Sequence, residues 1–252
     1  MTDRIAIARR ARTRLPPGWA IAVAVLFLLM SGFVAHSARL GIGGLIADLS
    51  GKSRFYAADA PIVTAIMFLH MVTGAALTLL APLQLLGAVR RRWRGYHRWA
   101  GRTTVGLGAF TSIGAIVFAL SRGTLGGPMM DASSTVYGLL MITSAVQTYR
   151  FGRARDWPRH RRWGWRLAVL VIASWLYRMH YVVWDWLTGG IWTTPDVTGP
   201  FDVFQLWAFY LSYLALLEAY FAWEGRRRRS ARLARKPAPR PIRGRAPAVG
   251  GD

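Results

Sequence analysis

The stretch from Pro61 to Arg102 constrains this chain more than any other. It begins PIVTAIMFLHMVTGAALTLLAPLQLLGAV and ends RRRWRGYHRWAGR. At a rise of about 1.5 Å per residue, the apolar part exceeds a hydrocarbon core of roughly 30 Å. The Arg, Trp and His cluster that follows fixes the end of this span at a membrane surface, where aromatic rings and cations meet headgroups. The excess length predicts a tilt, or a kink at Pro82, whose ring clashes with the preceding turn.

The chain of 252 residues is 53% hydrophobic and carries a formal charge of +22. On a soluble domain such a charge suggests nucleic acid. Here the basic residues fall in blocks between apolar runs, so membrane lipid with anionic headgroups is the expected partner and no specific nucleic acid is. The absence of cysteine excludes disulfides, thiolate metal sites and a cysteine nucleophile.

Six spans follow in order, giving an all-α integral membrane bundle. A basic cytoplasmic segment, residues 1–17, leads to a first span near Trp19–Ala35. A cleavable signal peptide is the competing reading, but the apolar run is longer than the usual signal core. A glycine-containing loop over 39–60 includes GLIADL, read as a short surface helix. The remaining spans are expected near Pro61–Val89, Thr103–Leu120, Ser133–Tyr149, Leu167–Trp186 and Val203–Trp223. The fourth is the least apolar, with Thr135, Thr143, Ser144, Gln147 and Thr148, so it belongs inside the bundle. Residues 18–224 thus form the membrane domain. Residues 225–252, rich in Arg, Pro and Gly, read as a disordered cytoplasmic tail.

Basic residues crowd the N-terminal segment, the loops 90–102 and 150–166, and the tail. The alternate loops offer only Arg39, Lys52, Arg54 and Arg122. This is the positive-inside pattern, with both termini cytoplasmic and the chain in the plasma (inner) membrane. Trp19, Trp93, Trp99, Trp163 and Trp223 mark the inner surface, and Trp184, Trp186 and Trp192 the outer one. A weak internal repeat, WRGYHRW at 93–99 against WPRHRRW at 157–163, suggests that spans 2–3 and 4–5 are related hairpins.

The run LHMVTGAALTLLAPLQL, then HRWAGR, then HRRWGWRLAVLVIASWLYR, then LLEAY resembles a group of bacterial membrane proteins catalogued as domain of unknown function 2306. The resemblance covers about Ile62–Tyr220 and marks His70, Gln84, His97, Arg98, Gly101, Arg102, His160, Arg161, Arg166, Arg178 and Glu218. It implies a fold and a location and brings no established activity. His180 is outside its pattern.

Chemistry is confined to a few side chains. His70 lies about eight residues, or roughly 12 Å, inside its span, where polar groups are costly. His70, Thr73, Gly74, Thr78 and Ala81 share one small, polar face, and Gly74 would let a flat macrocycle approach. The plain alternative is a histidine that hydrogen-bonds a neighbouring helix. His97 and His160 occupy matching positions at the inner surface and are candidate axial ligands of a haem iron, with Arg98 and Arg161 for the propionates. Ordinary interfacial histidines are the alternative there. An outer site would need His70 with His180 or His36. Arg178 and His180 diverge by about 200° around their helix, so one of them faces the bundle axis, and the resemblance favours Arg178. Arg226, Arg227, Arg228 and Arg229 are candidate lipid-binding residues.

No phosphate loop, HExxH or Ser/His/Asp triad is present. Three functions fit these residues. The first is a b-type haem electron carrier using His97, His160, His70 and Arg178. The second is a transporter or proton-linked permease lined by His70 and Arg178. The third is a non-catalytic assembly or structural component. The sequence leaves open whether the chain is an enzyme.

Overall fold

The computed structural model describes residues 17–234. Seven helices appear among them: α1 (Pro17–Ile46), α2 (Pro61–Leu85), α3 (Gly87–Arg92), α4 (Arg94–Arg122), α5 (Gly127–Arg153), α6 (Trp157–Thr188) and α7 (Pro200–Ala234). No strand occurs among the described residues. Five of the helices, α1, α2, α4, α6 and α7, are long and apolar enough to cross a membrane, the make-up of a multi-pass membrane protein. Residues 1–16 and 235–252, with the basic N-terminal segment and most of the expected tail, lie outside the described residues.

The chain divides into two compact units at Leu214/Ala215, inside α7 and ahead of the expected boundary at 224/225. Within the first unit α1 packs on α2, α2 on α4 and α6, α4 on α5, and α5 on α6. Its core gathers Leu77, Ala81, Met141, Ala145, Leu170, Val171 and Tyr210. Glycine lets α1 come close to α2. A Cβ at Gly44 of α1 would lie 2.3 Å from the Phe68 ring, and one at Gly41 would lie 2.9 Å from the Phe68 carbonyl.

The helices are longer than expected at the basic ends. Residues 94–102 and 157–166 are helical rather than loop, because Arg, Trp and His at an interface satisfy their side chains without interrupting the backbone ladder. GLIADL is not a separate surface helix: its first three residues complete α1, and Asp48 then accepts from the Ser50 amide at 2.8 Å. Pro82 does not end α2; the break falls one turn later, at Leu86 (φ −68°, ψ 111°), and turns the chain into α3. The expected disorder from residue 225 is corrected over 225–234, which continue α7. There Arg228 pairs with Glu224 at 2.8 Å and Arg227 stacks on Trp223, contacts one helical turn apart.

Helix α5 explains its own low hydropathy. Ser133, Gly138, Met141, Ser144, Ala145 and Thr148 form its buried face at three-and-four spacing. Ser133 Oγ donates to the Leu206 carbonyl, and Tyr137 Oη donates to that of Leu170 at 2.5 Å. The bonds to neighbouring helices thus come from Ser133 and Tyr137 rather than from the expected polar set, of which Thr148 donates within its own helix and Thr143 is exposed.

Candidate functional site

Three connections meet at one end of the first unit. Arg122, closing α4, pairs with Asp59 of the α1–α2 loop at 3.0 Å. A Cβ at Gly126, between α4 and α5, would lie 3.1 Å from the carbonyl of Val197, in the α6–α7 loop. Beneath them lies an open cavity of about 680 Å³, lined by side chains of α1, α2, α4, α5, α6 and α7. That volume falls within the roughly 300–1,000 Å³ usual for small-molecule sites.

His70 and Arg178 both line this cavity, so the structure brings these two predicted residues to one site. His36 joins them from α1 and Arg54 from the α1–α2 loop. Among the described residues, no carboxylate lines the cavity. The walls are otherwise apolar and aromatic, with Phe33, Phe55, Met67, Met71, Phe118 and Phe209, and carry hydroxyls from Thr111, Ser112, Ser174, Tyr137 and Tyr177. Gly74 is part of the wall, as its place beside His70 predicts.

His70 is held in one tautomer. Its Nδ1 lies 2.8 Å from the carbonyl of Thr111 on α4. A carbonyl only accepts, so Nδ1 carries the proton and the neutral ring keeps its lone pair on Nε2. Thr73 Oγ1 meets Thr111 Oγ1 at 2.7 Å and fastens the same two helices one turn further on. The interhelical role of His70 is therefore real, and it leaves Nε2 free to accept a proton or to bind a metal.

Arg178 lies ten residues before the end of α6, roughly 15 Å along the helix. Its Nη1 donates to the carbonyl of Ser174 at 2.8 Å, and its Cζ sits 4.6 Å from the centre of the Phe33 ring. None of the ion pairs between described residues includes it. For this mid-span arginine the structure supplies a backbone carbonyl and an aromatic face, and no carboxylate among the described residues.

His180 is excluded from the cavity. Its Nδ1 lies 2.5 Å from the amide nitrogen of Gln205 and its Nε2 lies 2.7 Å from Tyr213 Oη. An amide nitrogen only donates, so Nδ1 accepts, Nε2–H donates to tyrosine, and both ring nitrogens are consumed. Of the two expected outer pairings, His70 with His180 is removed and His70 with His36 remains.

His97 and His160 are outside the cavity, near the basic end. His160 is within electrostatic reach of His97. Its Nδ1 lies 2.8 Å from the Thr148 carbonyl and its ring rests on Gly152, where a Cβ would lie 3.1 Å away. His97 Nδ1 is buried without a hydrogen-bond partner among the described residues, as are both amide atoms of Gln84. No group of three or more His, Cys, Asp or Glu able to hold a metal occurs among the described residues.

The sequence reading missed Thr111, Phe33, Arg54 and Ser174. It also missed Asp202, which is 1% exposed in the first turn of α7. Asp202 accepts from Tyr181 Oη at 2.8 Å and from the amides of Thr194 and Gly199 at 2.9 and 3.0 Å. It ties the α6–α7 loop to a tyrosine of the cavity wall. An acidic residue just after Pro200 is a helix-start signal, so Asp202 was open to discovery; the Thr111 carbonyl, being backbone, was not. No family model, curated protein or solved structure matches this chain.

Proposed function

We propose that this is a six-span membrane protein of the permease class that takes an anion with a large apolar body into the cavity beside Arg178. One observation carries the reading. A guanidinium at mid-helix faces a cavity that has a second arginine, two imidazoles and no carboxylate. Placing an arginine at mid-bilayer costs about 2.5–3.5 kcal/mol on insertion scales, and a ring face and one carbonyl only partly offset that. An anionic ligand completes the site through charge-assisted hydrogen bonds, while the apolar walls take its body. His70 Nε2 supplies a proton-accepting group in the same space.

The sixth span of this proposal is α5. Its 27 residues reach roughly 40 Å, enough to cross, and its polar face is buried against α4 and α6. Both termini are then cytoplasmic in a bacterial inner membrane, with Arg226, Arg227, Arg228 and Arg229 meeting anionic headgroups. The likeness to domain of unknown function 2306 belongs to the same proposal. Reporter fusions at Thr135 and Thr194 should read periplasmic, and fusions at Arg153 cytoplasmic. For the ligand, equilibrium binding of radiolabelled dodecanoate to the protein in nanodiscs should weaken at least tenfold in Arg178→Gln. Equal binding by that variant, or none by the wild type, would defeat the reading.

The His70 tautomer favours a second reading, a b-type haem in this cavity. With Nδ1–H on a carbonyl, Nε2 of His70 would be the atom to hold the iron, and Arg178 would pair with a propionate. Membranes from cells fed haem precursor would then show a Soret band that His70→Ala removes. A band lost instead in His97→Ala or His160→Ala places the haem at the basic end, and no band excludes haem.

A further inference from the structure

The cavity wall between α1 and α6 is unlike the others. Helix α1 packs closely on α2. It nevertheless lines the cavity through Phe33, His36, Ser37 and Leu40, at three-and-four spacing. What spans the distance to α6 is a side-chain contact, Arg178 Cζ over the Phe33 ring at 4.6 Å. Arg178 keeps an exposed side chain although it sits mid-helix, and it both touches Phe33 and lines the cavity. The rest of α1 presents apolar side chains outward, Leu28 being 73% exposed and Leu29 56%.

We propose that the cavity opens sideways to the bilayer between α1 and α6, that Phe33 on Arg178 is the gate, and that the ligand is a single-chain anionic amphiphile drawn from the membrane. This rests on the reading of the cavity as an anion site.

Three features lead there. First, the gate contact is replaceable. A ring face holds a guanidinium by cation–π attraction alone, and among the described residues Arg178 donates elsewhere only to Ser174. A carboxylate or phosphate makes two charge-assisted hydrogen bonds to the same group and displaces the ring. Second, the charge lies at the seam while the floor is apolar: Leu77, Met141 and Val171 line the cavity and also belong to the core cluster. A head group held at Arg178 therefore directs its chain inward, between the helices. Third, Arg54 stands at the loop end of the same space, and it and Arg178 both act electrostatically on Tyr177. An anion leaving Arg178 has a second cation to move to. The volume suits one chain with its head group.

The chain has no cysteine, so a single introduced thiol reports one place. Phe33→Cys, in zwitterionic nanodiscs, would be given radiolabelled oleate in one arm and oleoyl lysophosphatidate in the other. Retention of oleate alone makes the head a carboxylate, retention of lysophosphatidate alone makes it a phosphate, and retention of both makes the site indifferent between them. Phe33→Cys should exchange the retained probe faster than wild type. A bulky maleimide on that thiol should slow association at least tenfold and trap probe loaded beforehand. The same label on Leu28→Cys, elsewhere on α1, should change neither rate. Exchange through labelled Phe33→Cys at the unlabelled rate would overturn the gate while leaving the anion site standing. Displacement of oleate by equimolar butyrate would overturn the amphiphile. Retention of neither probe, or unchanged retention in Arg178→Gln, would remove the anion site and the gate together.

Discussion

The two ends of the first unit use the same residue types in opposite ways. At the basic end, arginines stand outside and find partners on their own helix or its neighbour: Arg159 pairs with Asp156 at 3.2 Å and Arg166 stacks on Trp163 at 4.4 Å. At the cavity end, Arg178 lines the cavity and has no carboxylate partner among the described residues. The histidines divide similarly. His70 fixes its proton on a carbonyl of another helix and keeps Nε2 for the cavity, while His97 has a buried nitrogen without a partner outside it. Depth decides the difference. A charge at an interface is solvated whatever it touches, whereas one inside the bundle must be completed by protein or by ligand.

Two aspartates test this contrast. Asp202 is buried and accepts from Tyr181, Thr194 and Gly199. Asp202→Ala leaves several donors unpaired and should cost about 3 kcal/mol or more, since each buried orphan costs about 1–3 kcal/mol. Asp156 at the basic end caps α6 by accepting from the Arg159 amide at 3.1 Å. Asp156→Ala should cost only about 1 kcal/mol, the usual worth of an N-cap. Thermal unfolding of both variants in one detergent gives the ranking; equal losses would erase the distinction between the ends.

The next effect concerns the wall that carries Phe33. Gly44→Ala drives a Cβ into the Phe68 ring and should destabilise by about 1–3 kcal/mol, an overpacking cost. Because α1 packs closely on α2, the loss should appear first as increased proteolysis of the α1–α2 loop. A variant as resistant as wild type would show that the approach of these helices is not tight.

The smallest expected effect is acid sensitivity of that loop. Hydrogen bonds from the Ser50 side chain and amide hold the Asp48 carboxyl below its ordinary value. A depressed carboxylate contributes stability above its unfolded value and loses it as pH falls through the folded value. Loop protection from hydrogen exchange should therefore decline at the acid end in wild type and stay flat in Asp48→Asn. Parallel curves would remove Asp48 from the turn.

Much of the fold was legible because apolar runs of span length have few alternatives, and the helices fall where those runs lie. Their ends were not, since an interfacial arginine continues a helix as readily as it ends one; residues 94–102 and 157–166 show this. The face of α2 holding His70, Gly74 and Thr78 was readable from spacing, and it lines the cavity. The cavity itself was not readable. It depends on how α1 and α6 sit across from each other, and on a Thr111 carbonyl that no side chain announces. His180 was a candidate partner of His70 in an outer site; Gln205 and Tyr213, distant in sequence, occupy its two ring nitrogens instead.

The central claim is that an anion with an apolar body sits beside Arg178. Native mass spectrometry of the protein released from nanodiscs made with its own host lipids tests it directly. Wild type should carry one anionic amphiphile per chain, and Arg178→Gln, folded to the same unfolding temperature, should lose it. A wild type without bound mass, or a variant that keeps the same adduct, would contradict the account.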